Sequence, residues 1–243
     1  MNVDKKVAVV TGGSKGIGLA IAKLYYANNY RVFVCSRNRP DPSDLDGASV
    51  DFLHFELDLS DEASVKNCVK SIFNEEKRID VLINCAGKAI GGSFLMTSMK
   101  DLNDIFTVNY FNTLLFTQYI VKKMLRRKSG AVVNISSTAG ILADKGTVSY
   151  GGSKAALIHA TKVLATELGV YGIRVNAIAP AVVETDMAKQ MDEQSLALLY
   201  ERRSLSGEKI FSEDVSELAY FLGSDSSLKI TGQVIRIDCG MPF

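Results

Sequence analysis

Short apolar runs alternate along this chain with longer segments in which apolar side chains recur at helical spacing. The short runs are bounded by glycine or by polar turn residues, as is typical of strands that are buried on both faces of a parallel sheet. They predict strands at Lys6–Thr11, Arg31–Ser36, Val50–Leu57, Asp80–Asn84, Gly130–Ser137, Ile173–Ala179 and Gln233–Asp238.

The helical segments lie between these strands. They predict helices through Leu24 to Asn28, from Asp61 to Glu76 with a cap near Ser60, from about Lys100 to Arg127, from Val148 to Gly169, and one or two more between Asp192 and Gly223. Strands and helices that alternate at this spacing favour parallel pairing with helices on both faces. We therefore predict a single α/β domain over residues 1–243 with a doubly wound parallel sheet.

Composition and charge narrow the functional classes. The 243 residues carry a formal net charge of +1, which favours neither nucleic acid nor an anionic membrane as a partner. The four cysteines are scattered without a Cys-x-x-Cys pair, which argues against a zinc site or a disulfide framework and fits a reducing compartment. The opening residues lack the pattern of a signal peptide, and no uncharged apolar run is long enough to span a membrane. We expect a cytoplasmic protein without a metal.

A glycine cluster follows the first predicted strand, with Gly12, Gly16 and Gly18 at the entrance to the first helix. Backbone amides at a helix N-terminus, together with the helix dipole, can hold a pyrophosphate. Glycines permit the tight turn and the close approach of the ligand. The spacing Gly-x-x-x-Gly-x-Gly differs from the commoner Gly-x-Gly-x-x-Gly, but its place between a strand and a helix indicates a dinucleotide site.

The same segment allows a second interpretation, because Gly12 to Gly16 also matches the Gly-x-Ser-x-Gly elbow of serine hydrolases, with Ser14 as the nucleophile. That chemistry requires a histidine base. The only histidines are His54, in a predicted strand, and His159, in a predicted helix. Both positions favour a structural histidine, so the dinucleotide interpretation is preferred.

The end of the second strand bears on the choice between NAD(H) and NADP(H). NAD enzymes place an acidic residue about 20 positions beyond the glycines to bind the ribose 2′-hydroxyl, but here no acid precedes Asp41. Lys15 and Arg37 would instead face a 2′-phosphate, and one charge-assisted contact is worth about 1.5–3 kcal/mol. The sequence therefore predicts NADP(H); the alternative is that Arg37 and Arg39 are solvated turn residues.

A Tyr-x-x-x-Lys pair, Tyr150 and Lys154, stands near the start of the helix after the fifth strand. Residues four apart share a helix face, so the Lys154 ammonium can lie near the phenol and favour its ionised form. Ser137, at the end of the preceding strand, could hydrogen-bond a carbonyl oxygen on the same side. This arrangement suits general acid–base catalysis at a carbonyl. A second match, Tyr119 and Lys123, lies in an amphipathic run and is interpreted as helix surface.

Together these motifs resemble those of the short-chain dehydrogenase/reductase family, and the resemblance extends over nearly the whole chain. It rests on Thr11-Gly12-x-x-x-Gly16-x-Gly18, Asp58-Leu59, Asn84-Cys85-Ala86-Gly87, Asn109, Ser137, Tyr150-x-x-x-Lys154 and Pro180 through Thr185. The resemblance implies a Rossmann-like sheet of about seven strands with strand order 3-2-1-4-5-6-7. It also implies an oxidoreductase in which NADPH gives hydride to a ketone while Tyr150 protonates the oxygen and Ser137 orients it. Lys154 would lower the tyrosine pKa and hold the nicotinamide ribose, and Asn109 would anchor a water that relays protons through Lys154.

The resemblance also implies the cofactor contacts. Asp58 would meet the adenine, Asn84 would lie beside the cofactor and Thr185 would hold the nicotinamide carboxamide. The full set expected to bind NADP(H) is Gly12, Ser14, Lys15, Gly16, Ile17, Gly18, Arg37, Asp58, Leu59, Asn84, Ala86, Gly87, Tyr150, Lys154, Pro180, Val183 and Thr185. The chain departs from the family pattern at Cys85, Ala181 and Cys239, none of which is a catalytic group.

Within the family the chain looks most like the bacterial 3-oxoacyl-[acyl carrier protein] reductases. That resemblance implies a carrier-bound 3-oxoacyl thioester as substrate and a homotetramer formed through the two long helices. The basic stretch 126–128 could meet an acidic carrier, although Tyr171 stands where those reductases often have an arginine. A sugar or another small secondary alcohol is the alternative substrate, and a non-catalytic cofactor-sensing protein is the alternative function.

A substrate lid is expected over about 182–207. Its apolar residues Met187, Met191 and Leu196–Leu199 suggest an apolar cover over the substrate.

Overall fold

The computed structural model describes residues 5–45, 51–186, 188–190, 193–205 and 208–242. Its strands are β1 (Val7–Thr11), β2 (Arg31–Ser36), β3 (Phe52–Glu56), β4 (Val81–Asn84), β5 (Gly130–Ile135), β6 (Ile173–Pro180) and β7 (Val234–Ile237). They form one seven-stranded sheet in the order β3-β2-β1-β4-β5-β6-β7. Every neighbouring pair is parallel. The predicted sheet and its strand order are confirmed.

Helices connect successive strands. They are α1 (Gly16–Ala27), α2 (Glu62–Glu75), α3 (Met99–Phe106), α4 (Asn112–Arg127), α5 (Val148–Gly169), α6 (Glu193–Glu201) and α7 (Ser212–Gly223). Short 3₁₀ turns lie at Pro42–Leu45, Phe94–Met96, Thr138–Gly140, Ala188–Gln190 and Asp225–Ser227. In the part of the chain that the structure describes, no helix has the length and apolar character needed to cross a membrane.

Alternate side chains of each strand enter two cores, one on each face of the sheet. In β1, Val9 packs in a core with α2, α4 and α5, whereas Val10 packs in a core with α1 and α7. On α4 the inward face consists of Phe116, Ile120 and Met124, which follow each other at four-residue spacing and are fully buried. Burial of one such side chain contributes about 1.5–3 kcal/mol. Because the two cores cover both faces of the sheet, the candidate site lies at the edge where the strands end.

The predicted long helix from about Lys100 to Arg127 runs without a break from Met99 to Arg127, but it contains a π turn that was not predicted. A π turn at Thr107–Phe111 separates α3 from α4, and such a turn inserts an extra residue into the helical hydrogen-bond ladder. It places Asn109 in the interior, where the residue is 1% exposed. The hydrophobic period does not reveal a single π turn, so the sequence pattern predicted one helix.

Two element ends also differ from their predicted positions. Helix α2 is capped by Asp61 rather than Ser60, because the Asp61 carboxylate accepts hydrogen bonds from the amides of Ala63 (2.9 Å) and Ser64 (3.2 Å). Strand β5 ends at Ile135, and Ser137 instead caps the 3₁₀ turn that follows. The predicted limits at residues 50 and 192 lie outside the described residues.

Candidate active site

A cavity of about 1000 Å³ opens at the carboxyl ends of β1, β2 and β4. The strand order changes direction here, because β2 and β4 flank β1 on opposite sides, and ligands of doubly wound sheets bind at such a point. Most of the predicted cofactor residues line this cavity: Gly12, Ser14, Lys15, Gly16, Ile17, Gly18, Arg37, Asp58, Leu59, Ala86, Gly87 and Thr185.

The glycine turn after β1 can take only glycine at its critical positions. Gly12 and Gly16 have φ of +69° and +54°, in the left-handed region that glycine adopts without strain. A Cβ at Gly12 would lie 2.8 Å from the Cα of Ala86, and one at Gly18 would lie 2.3 Å from the Gly12 carbonyl oxygen. The N-cap of α1, Lys15, makes no side-chain cap, so the amides of the first turn are left for a ligand or solvent. These features fit a dinucleotide pyrophosphate.

Cations collect where the adenosine end of a dinucleotide would lie. Lys15, Arg37 and Arg39 all line the cavity. None of the three takes part in an ion pair between described residues. Asp58 accepts hydrogen bonds from the amide and hydroxyl of Ser60, and these bonds, with a smaller effect of the Arg37 charge, lower the pKa of the Asp58 carboxyl. The cations are therefore free to meet a phosphate.

The structure does not bring every predicted cofactor residue to the cavity. Asn84 is buried, and its Nδ2 donates to Thr117 Oγ1 and Asn134 Oδ1, both at 2.8 Å. It thus links β4 to β5 and α4 inside the protein. Pro180 and Val183 are buried at the end of β6 and just beyond it. They are not among the residues that line the cavity, and neither are Tyr150 and Lys154.

Ser137 and Tyr150 are brought together by two adjoining turns. Ser137 Oγ accepts a hydrogen bond from the Ala139 amide at 3.2 Å, and Tyr150 lies in the first turn of α5. Burial raises the pKa of Tyr150, and the nearby Ser137 hydroxyl acts in the opposite direction. The phenol therefore keeps its proton at neutral pH, with a hydroxyl beside it that can contact the same ligand oxygen.

Lys154 lies beneath Tyr150 but is directed at the backbone. Its Nζ donates to the Ile135 carbonyl oxygen at 2.8 Å and is 5.8 Å from the centre of the Tyr150 ring. Burial lowers the pKa of Lys154 to about 8. Burial is the largest influence on the Tyr150 pKa in this structure, and Lys154 is not among the groups that shift it. The expectation that Lys154 lowers the tyrosine pKa stays a prediction.

A stability titration checks the burial of Lys154. The pKa of its ammonium falls from an ordinary value of 10.5 to about 8 in the folded chain, so between these pH values the unfolded chain binds a proton that the folded chain has lost. The free energy of unfolding then rises with pH. The Lys154→Met variant is the reference, because subtracting its free energy of unfolding removes the contributions of the other titrating groups. This difference in free energy of unfolding is expected to rise in favour of the wild type by about 1–3 kcal/mol from pH 8 to pH 10. Urea denaturation at several pH values measures this, and a pH-independent difference would contradict it.

Asn109, on the π turn, joins two parts of the site. Its Oδ1 accepts from the Lys88 amide (2.8 Å), and its Nδ2 donates to the Lys88 carbonyl oxygen (2.9 Å) and to Ser153 Oγ (3.0 Å). A Cβ built on Gly87 would be 3.4 Å from both Asn109 Oδ1 and Lys154 Nζ, so the two polar groups lie close together. Both amide hydrogens are used within the chain, and the predicted water relay stays a prediction.

The structure bears on two other motifs, the serine hydrolase elbow at Ser14 and the second Tyr-x-x-x-Lys pair. His54 Nε2 contacts the Ser36 carbonyl oxygen at 2.9 Å, and His159 is exposed on α5. No hydrogen bond between described residues joins either histidine to Ser14, so the hydrolase interpretation has no support. Lys123 lies over the Phe73 ring at 4.2 Å, as expected of helix surface.

The lid segment contacts the rest of the protein at its base and through one ion pair near its far end. Val183 and Ile210 form a parallel bridge, and Arg203 donates to the carbonyl oxygens of Val182 and Glu208. Arg202, beyond α6, forms an ion pair with Asp144, which lies between Ser137 and Tyr150 in the chain.

The predicted apolar cover is only partly visible. Met187 and Met191 lie outside the described residues. Within Leu196–Leu199, Leu198 is 62% exposed, so the described part of α6 does not turn all its apolar side chains toward the site.

The basic stretch 126–128 is not beside the chain's own site. It ends α4 and leads into the amino end of β5, whereas Ser137 lies past the carboxyl end of that strand. Six strand residues span about 20 Å. The expectation that this stretch borders the site is therefore wrong within one chain, because a helix antiparallel to its strand ends at the opposite edge of the sheet.

Several cavity residues were not predicted to bind the cofactor. They are Cys35, Ser36, Asn38, Arg39, Leu57, Ser60, Cys85, Lys88, Asp104, Thr107, Val108 and Asp186. Eight of the twelve are among the last two residues of a strand or lie within four residues after one, and that position is the one signal by which the sequence could have revealed them. Among them, burial raises the pKa of the Cys85 thiol to about 12, which keeps it protonated.

Comparison with known proteins agrees with this geometry. The family model for short chain dehydrogenases matches residues 6–196. The chain belongs to the short-chain dehydrogenase family. Its members are oxidoreductases that interconvert CH–OH and C=O groups with a nicotinamide cofactor, and this chain is one of these enzymes.

Individual members of the short-chain dehydrogenase family cover almost the whole chain. The 3-oxoacyl-[acyl-carrier-protein] reductases FabG of Aquifex aeolicus and Escherichia coli are 34% and 33% identical to it, over 99% of both chains in each case. Among solved structures, ElxO with NADP bound gives a TM-score of 0.89 at 30% identity and covers 98% of each chain. A variant of ElxO with NADPH bound gives the same values.

Proposed function

We propose that this protein reduces a ketone to a secondary alcohol with NADPH, and that the ketone is a 3-oxoacyl thioester. The observation that carries the proposal is that Ser137 and Tyr150 lie close together at the carboxyl edge of the sheet, where the Ser137 hydroxyl acts on the Tyr150 phenol. The same edge holds the glycine turn and the cavity. Bound NADPH supplies the hydride.

The chain's own residues handle the oxygen and the proton. Tyr150 holds a proton at neutral pH because its pKa is raised, so it can donate to a carbonyl oxygen that gains electrons. Ser137 can donate a second hydrogen bond and fix the carbonyl in place. Lys154, with a pKa of about 8, gains and loses a proton near neutral pH and is suited to resupply Tyr150. The residues proposed as catalytic are thus Ser137, Tyr150 and Lys154, with Asn109 supporting them.

The preference for NADP(H) over NAD(H) has two supports. The cavity has three cations without ion-pair partners among the described residues, Lys15, Arg37 and Arg39, and no acid at the end of β2. The second support is similarity, because ElxO, with NADP or NADPH bound, shares the fold at 30% identity.

The substrate and the assembly follow from similarity joined to geometry. The FabG relatives are 3-oxoacyl-[acyl-carrier-protein] reductases, and we extend this activity and a homotetramer to the present chain. Apolar side chains near the ends of α4 and α5 are exposed, among them Phe111 (56%) and Val170 (81%). If two copies pack these helices antiparallel about a two-fold axis, the basic end of α4 in one copy approaches the site of the other. An acidic carrier could then meet stretch 126–128 after all. The four free thiols fit a cytoplasmic enzyme.

A ketone panel tests this proposal. NADPH consumption is measured with a 3-oxoacyl thioester on acyl carrier protein, the same acyl group on a short thiol, and keto-sugars. We expect the highest kcat/KM with the carrier-bound thioester, a lower one with the short thioester, and little turnover of sugars. Preference for a sugar would replace the proposed substrate, and no NADPH consumption with any ketone would contradict the proposed activity.

The ion pair between Arg202 and Asp144 is expected to position the lid over the substrate. Arg202→Asp should raise KM for the ketone about three- to tenfold, because a lost partly exposed pair costs about 1 kcal/mol. The KM for NADPH should not change. The double variant Asp144→Arg with Arg202→Asp should recover most of the loss.

Lys189 gives a matched control for the lid, because its ion pair with Asp186 stays within the lid segment. Lys189→Ala should leave both KM values unchanged. If Arg202→Asp and Lys189→Ala raised KM for the ketone equally, the effect of Arg202→Asp would come from local lid structure and not from its ion pair with Asp144.

A further inference from the structure

Lys88 lines the cavity on the side opposite the adenosine cations. It follows Gly87 directly, and its segment packs against the glycine turn, since a Cβ at Gly12 would lie 2.9 Å from the Ala86 amide nitrogen. In the sheet, β2 and β4 flank β1. Arg37 after β2 and Lys88 after β4 therefore stand on opposite sides of the turn, at strands about 10 Å apart.

The backbone of Lys88 is held in place by a buried side chain. Both its N–H and its C=O are hydrogen-bonded to the amide of Asn109, which is 1% exposed. A residue fixed in this way offers its side chain to a ligand with little loss of backbone entropy.

The charge of Lys88 is weakly used within the chain. Its Nζ is 4.0 Å from the Asp104 carboxylate, whose close partner is Lys100 at 2.8 Å. The Lys88 side chain is 44% exposed, and an exposed pair at this distance is worth little. The ammonium can therefore turn toward an anion in the cavity.

We infer that Lys88 is a further cofactor-binding residue, which pairs with the pyrophosphate of the dinucleotide from the side opposite Arg37. The inference rests on the proposed function, in which a dinucleotide occupies this cavity. The pyrophosphate is common to NADPH and NADH, so Lys88 contributes to the affinity for both cofactors. Arg37, facing the 2′-phosphate, contributes only to the affinity for NADPH.

Direct binding measurements separate these roles. The Kd values of NADPH and NADH are measured by calorimetry at low ionic strength for the wild type, Lys88→Met and Lys100→Met. Methionine keeps the apolar stem and removes the charge. Lys100 is the matched control, because it pairs with the same Asp104 carboxylate but is 82% exposed and is not among the cavity residues.

We expect Lys88→Met to raise both Kd values about five- to twentyfold, with their ratio unchanged. Lys100→Met should leave both within about twofold of the wild type. Unchanged Kd values in Lys88→Met, or a rise for NADPH alone, would overturn the inference while leaving the proposed function intact. A wild-type protein that binds neither cofactor would remove the proposed function and the inference with it.

Discussion

Replacing Tyr150 with phenylalanine is expected to lower kcat for ketone reduction by about 10³-fold or more, within or above the range of general acid catalysis. The phenol holds the proton that the carbonyl oxygen needs, and the Ser137 hydroxyl lies near it. Phenylalanine fills the same space but has no proton to give. Stopped-flow measurement of NADPH oxidation with a saturating 3-oxoacyl thioester gives the rate directly.

The chain contains its own control for this substitution. Tyr119 and Lys123 have the same spacing on α4. The Lys123 ammonium lies over the Phe73 ring, on the surface of the helix. Tyr119→Phe should leave kcat unchanged, and Tyr150→Phe should leave the Kd of NADPH within about twofold. Substantial turnover by Tyr150→Phe, with its thermal stability unchanged, would remove Tyr150 from the role of acid.

Replacing Arg37 with aspartate is expected to reverse the cofactor preference. The change removes a charge-assisted contact worth about 1.5–3 kcal/mol and sets a carboxylate against the 2′-phosphate, so the ratio of kcat/KM for NADPH to that for NADH should fall about 10²- to 10³-fold. The same carboxylate can accept hydrogen bonds from the ribose hydroxyls of NADH. Steady-state kinetics with the two cofactors and one ketone measure the ratio.

The measurement with NADH is the control for a structural effect of Arg37→Asp on the cavity. Arg37 is exposed and has no ion-pair partner among the described residues, so kcat/KM for NADH should hold or rise. Equal losses with both cofactors would mean that Arg37 supports the cavity wall. An unchanged ratio would mean that it is a solvated turn residue.

Much of the fold follows from short-range pattern. Short apolar runs, ended by glycine or by polar residues, locate the strands, and parallel strands end at one edge, which is where the sequence motifs meet. The glycine turn is predictable for a firm reason, since Gly12 and Gly18 have no room for a Cβ. The order of the strands comes from the family resemblance as much as from the pattern.

The features that the sequence did not reveal are those set by tertiary packing. The π turn that buries Asn109 leaves the helical period almost intact, and the cap of α2 moved one residue because Asp61 offers two acceptors. Asn84, although part of a family motif, is held inside by Thr117 and Asn134.

The electrostatics of the catalytic group also depended on burial. Spacing places Lys154 near Tyr150, but it does not reveal that the folded chain directs Nζ to a carbonyl of β5 or that burial raises the Tyr150 pKa. Of the departures from the family pattern, Cys239 stands out, because it adopts a φ of +53° next to Gly240 at +75°. A left-handed non-glycine residue costs roughly 1–2 kcal/mol.

A crystal structure of the protein with NADPH bound tests the central claim most directly. We predict that the nicotinamide ring lies beside Gly87 and Lys154, with its C4 and the Tyr150 hydroxyl close enough for one carbonyl group to contact both at about 3–3.5 Å. A nicotinamide ring separated from Tyr150 by packed side chains, or a dinucleotide bound outside the cavity that the glycine turn lines, would contradict it.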